Sequence, residues 1–84
     1  MKAQDMLPDD QDQVQVGGTR VRKGSVGAFL ANARTLADAS RSEAEHAAAR
    51  ADLLALVPPL RALGLFEVLR PRDPALQALI DGVP

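Results

Sequence analysis

The sequence predicts a small α+β protein. A three-stranded antiparallel sheet, made of a hairpin plus one later strand, is covered by three to four helices in the order ββαααβα. Three observations predict it. Gln13–Val16 and Thr19–Arg22 alternate apolar and polar residues around Gly17-Gly18, the pattern of a tight hairpin. Further along, apolar residues recur at helical spacing in Val26–Ala37, Ala44–Ala55 and Leu76–Val83. Leu65–Leu69, rich in strand formers, lies between Gly64 and Pro71.

Two glycines tolerate the positive φ angles of a two-residue loop, and that loop dictates the register. Val14, Val16, Thr19 and Val21 then share one face, and Gln13, Gln15, Arg20 and Arg22 the other. A slip of one residue would mix the two sets. Lys23-Gly24 ends the second strand, and Ser25 is the expected N-cap of the first helix. Along that helix Val26, Phe29, Leu30, Ala33, Leu36 and Ala37 form a stripe that is expected to pack across the valine face of the hairpin.

Ser40 with Glu43 and Ser42 with Glu45 are two overlapping capping boxes, so a second helix starts here. It is expected to bury Ala44, Ala47, Ala48, Ala51, Leu54 and Ala55, with Glu45 and Asp52 marking its solvent side and Leu56 misplaced outward. Pro58-Pro59 is expected to end it near Val57, because interior proline costs about 3 kcal/mol. A short helical turn to Leu63 follows, stopped by Gly64. In the third strand Phe66 and Val68 would join the core, leaving Glu67 beside Arg20 or Arg22. Asp73-Pro74 caps a last helix carrying Leu76, Leu79, Ile80 and Val83, with Gly82 at its end.

Residues 1–12 read as a mobile acidic N-terminal arm, and 13–84 as a single α+β domain. The arm carries Asp5, Asp9, Asp10 and Asp12 against Lys2, next to a stretch holding Arg20, Arg22, Lys23 and Arg34 with no acid. An arm folded over the basic hairpin would screen it from polyanions. No apolar run approaches the roughly 20 residues that cross a bilayer, and the start lacks the apolar segment of a signal peptide. A cytoplasmic location is the expectation. Alanine-rich, arginine-over-lysine usage points to a GC-rich bacterial genome.

The absence of cysteine excludes disulfides, thiol nucleophiles and thiolate metal sites. His46, the one histidine, forms E-x-x-H with Glu43, but a carboxylate-bridged metal pair needs two such motifs, and Arg50 on the same flank would repel a cation. Ser25, Ser40 and Ser42 are accounted for as helix caps, and no G-x-S-x-G elbow exists. The expectation is therefore no catalytic residue, no cofactor and no metal, hence no enzyme.

What remains is a binding surface. Leu65 and Leu69 flank Glu67 on a face that no helix clearly covers, and leftover apolar groups mark interfaces. The candidate interaction surface is Arg20, Arg22, Lys23, Arg34, Leu65, Glu67 and Leu69. The best reading is a small non-catalytic adaptor or regulatory module that binds an unknown protein partner, a second copy included. The alternative is binding of nucleic acid or another polyanion through Arg20, Arg22 and Lys23. It is weakened by a net charge of −1 and by the lack of Tyr or Trp as stacking platforms.

Overall fold

The computed structural model describes residues 24–84, preceded by the backbone of two short strands. Four helices make up the body: α1 (Ser25–Ala37), α2 (Glu43–Leu63), α3 (Leu65–Val68) and α4 (Pro74–Asp81). The strands β1 (Gln13–Val16) and β2 (Thr19–Arg22) pair antiparallel with Gln13 opposite Arg22 and Val16 opposite Thr19. This ladder is two strands wide, and its backbone runs beside α2. The expected turn at 17–18, the expected arm at 1–12 and Lys23 lie outside the described residues.

The expected α+β class, a β-hairpin-centred fold with a three-stranded sheet, is overturned. Residues 24–84 contain no strand, and 75% of them are helical. The decisive segment is Leu65–Val68, a helical turn where a third strand was expected. Gly64 explains it. At φ 94° it closes α2, its N–H reaching the carbonyls of Leu60 and Arg61, and α3 starts on its other side. Glu67 then donates to the Gly64 carbonyl and Leu69 to that of Leu65, at 3.2 and 2.8 Å. These backbone groups satisfy each other locally, so β-propensity, a weak preference without a neighbouring strand, does not decide the segment.

The core is a helical one. Leu53, Val57 and Leu60 of α2 are fully buried against Phe29 of α1 and Ile80 of α4. The buried seam of α2 is thus Ala49, Leu53, Val57 and Leu60. It is not the expected arc, for Ala44, Ala47, Ala48, Ala51 and Ala55 are exposed and Leu54 is half-buried. Alanine occurs all around this helix, so its spacing cannot select a face. Burying a large aliphatic side chain is worth about 1.5–3 kcal/mol, and the leucines and Val57 select it instead. Leu56, expected outside, is half-buried and packs on the core.

The same seam explains why α2 runs straight through Pro58-Pro59 instead of stopping there. The prolines cannot bond the carbonyls of Leu54 and Ala55, a loss borne on a flank where Ala55 and Pro58 are exposed. Breaking the helix at Pro58 would take Leu60 off the seam, and the burial of Leu60 beside Val57 outweighs the two missing bonds.

Candidate functional site

Among the described residues an open groove of about 260 Å³ lies beside α1. One wall is Val26, Phe29, Leu30 and Ala33, the other Leu65, Phe66, Leu69, Arg70, Pro71 and Leu76. Helical spacing places the α1 set on one stripe two turns long. Gly24 starts that helix in the left-handed conformation, φ 90°, with no side-chain cap. Ser25, expected as the cap, is instead the first helical residue and is buried.

Phe29 and Phe66 form the floor, with ring centroids 5.7 Å apart and planes inclined at 59°, the tilted geometry aromatic pairs favour. Around them large apolar groups remain in water: Leu30 is 53% exposed and Leu69 59%. Val68, expected in the core, is 83% exposed. Of the walls only Arg70 carries a charge. An apolar cavity of about 150 Å³ accommodates a benzene ring, so this groove has room for about two apolar side chains.

The expected surface residues are distributed unevenly around it. Leu65 and Leu69 both line the groove, although Leu65 is half-buried and packs on the core. Arg34 is exposed and lies one turn beyond Leu30 on α1. Glu67 is exposed, its carboxylate turned back over Gly64. The side chains of Arg20, Arg22 and Lys23 lie outside the described residues, so the proposed contact of Glu67 with Arg20 or Arg22 does too. Val26, Leu30, Phe66 and Leu76 were not foreseen at an interface. For Val26 and Leu30 the signal is an α1 stripe wider than one buried ring, Phe29, requires; Phe66 and Leu76 lie outside α1 and carry only core patterns.

The far end of α1 is polar. Asp38 Oδ1 accepts from the Ser40 N–H at 3.0 Å and its hydroxyl at 2.6 Å. Arg41 bridges Asp38 at 3.4 Å and Glu45 at 2.8 Å. Of the two expected capping boxes, Ser42 with Glu45 forms, while Ser40 is taken by Asp38. Hydrogen bonds from Ser40, then the Arg41 charge, hold the Asp38 carboxyl below its usual range. For Glu45 the Arg41 hydrogen bond leads, followed by those from Ser42. His46 places Nε2 at 2.8 Å from the Asp38 carbonyl, which requires that nitrogen to carry a proton. Its imidazole thus ties α2 to the loop rather than facing Glu43 as a ligand pair.

A second tie was invisible in the sequence. Arg61 of α2 donates Nη2 to the Ile80 carbonyl at 2.9 Å and Nη1 to those of Val83 and Pro84 at 2.9 and 3.1 Å. A guanidinium there adds a charged donor to carbonyls at and just beyond the end of α4 and complements the helix's negative end.

Among the described residues no group of His, Asp or Glu is arranged to hold a metal ion, and no helix is long and apolar enough to cross a membrane. Comparison with protein-family models, curated proteins and solved structures finds no match.

Proposed function

We propose that this chain is a non-catalytic, cytoplasmic protein-interaction module whose working surface is the groove between α1 and the α3–α4 segment. The observation that carries the reading is the grouping of Val26, Leu30 and Leu69, three exposed apolar side chains, around one nearly all-apolar groove. Scattered exposed leucines are ordinary on proteins, whereas a contiguous concave set is the usual mark of a binding site.

The test is affinity capture from the native cell's lysate with the tagged full chain and with a Leu30→Asp/Leu69→Asp variant, each with and without nuclease. Both leucines are more than half exposed, so the variant is expected to fold with stability changed by about 1 kcal/mol or less in total. Proteins retained by the wild type after nuclease and lost by the variant would support the reading. Identical retention by both would exclude the groove. Capture abolished by nuclease would favour the polyanion alternative on Arg20, Arg22 and Lys23.

A further inference from the structure

We propose that the groove receives an acidic amphipathic helix, an inference that rests on reading the groove as the interaction surface. The shape and polarity of the walls point to a helix. The lining is apolar apart from Arg70, and no strand edge borders it among the described residues. An extended segment laid there would bury backbone N–H and C=O groups with nothing to pair them. A helix satisfies its own backbone and presents only side chains. The α1 wall, at positions 26, 29, 30 and 33, is two turns long. It matches a partner stripe at i, i+3 or i+4, and i+7, with two anchors filling the volume between Leu30 and Leu69.

The charge at the rim supplies the sign. Arg70 lines the groove, Arg34 lies one turn beyond Leu30 on the flank of α1, and Arg72 is two residues past Arg70, all three exposed. Among the described residues none of them forms an ion pair; both ion pairs there belong to Arg41. Residues 25–37 and 65–76 together carry three arginines against two carboxylates, Glu67 and Asp73. Asp73 accepts from the Ala75 N–H at 2.9 Å as the cap of α4, and the Glu67 carboxylate lies over Gly64. Residues 25–37 contain no acid at all. Carboxylates flanking the partner's apolar stripe would therefore meet guanidinium groups.

The probes are synthetic helical peptides of about 18 residues, long enough to hold a helix in water. One carries leucine at i, i+3, i+4 and i+7 with glutamate flanks, the second has lysine flanks, and the third has the acidic composition with its leucine stripe scrambled. Binding to the full chain is read by anisotropy and by methyl shifts of Val26, Leu30 and Leu69, beside an apolar dye as a control for groove access. The acidic stripe is expected to bind about tenfold more tightly than the basic one, a gap that shrinks with salt and inverts in an Arg34→Glu/Arg70→Glu variant. Equal binding of both charges would overturn the acidic partner, and equal binding of the scrambled peptide would overturn the helix. Dye entry that Leu30→Asp abolishes, with no peptide binding, would overturn the helical partner while leaving the interaction surface standing. Failure of dye and peptides alike would remove both. Two other occupants would also overturn the inference: a second copy, shown by concentration-dependent shifts of the groove methyls without peptide, and the chain's own start, shown by shifts that Leu7→Asp alone produces.

Discussion

Single residues hold the helix ends in place. Arg61 reaches three carbonyls at the end of α4, and bonds to a charged donor are worth about 1.5–3 kcal/mol each when shielded. Arg61 is half exposed, so Arg61→Ala is expected to cost about 1–2 kcal/mol in total. The urea midpoint would fall at constant slope, and Arg61→Lys, with its single ammonium, would recover only part of it. At the other end of the molecule Asp38 and Glu45 both titrate below their ordinary values. A carboxylate depressed on folding adds stability above its unfolded pKa and loses it as pH falls through the folded one. The Asp38–Arg41–Glu45 cluster should therefore support the fold at neutral pH and fade on acidification. Urea titrations between pH 7 and about pH 3 should show Arg41→Ala weaker than wild type at the top of that range and converging with it at the bottom.

At the scale of elements, α2 is the spine and its two faces make opposite predictions. Leu53→Ala or Leu60→Ala should cost about 2–5 kcal/mol, while Ala47→Ser on the exposed flank should cost about 0.5 kcal/mol or less. Equal effects would mean that the buried seam is misassigned. Pro58→Ala sets helix propensity, about 3 kcal/mol in favour of alanine, against about 1 kcal/mol of lost restraint on the unfolded chain. Pro58 is exposed, so the helix term wins and the variant should melt higher than wild type. Local chemistry was legible where it is decided locally. The Ser42–Glu45 box, the Asp73-Pro74 start and the Gly64 stop follow from residues within a turn of each other. The face of α2 and its passage through Pro58-Pro59 are decided by Phe29 and Ile80, which are distant in sequence. The same holds for Leu65–Val68, whose strand-like composition had no partner strand to act on.

At the scale of the molecule, one core among the described residues joins α1, α2 and α4 through Phe29, Leu53, Val57, Leu60 and Ile80. Unfolding should accordingly be a single transition, with far-UV circular dichroism and side-chain signals of Phe29 coinciding. Of the surface, Leu65 and Leu69 were singled out from their awkward fit to a strand, and they line the groove for a different reason, as one side of a helical turn. Leu30 gives no separate signal in the sequence because it continues the α1 stripe without a break in period. The chain has no Trp or Tyr, and its only two phenylalanines are the pair on the groove floor. Every phenyl ring current in the protein therefore arises at one place, and the His46 imidazole, held at the Asp38 carbonyl, is the one other aromatic ring. An upfield-shifted methyl resonance reports proximity to that floor without mutation or label, and ring-induced shifts on an added molecule would locate it in the groove from a one-dimensional spectrum.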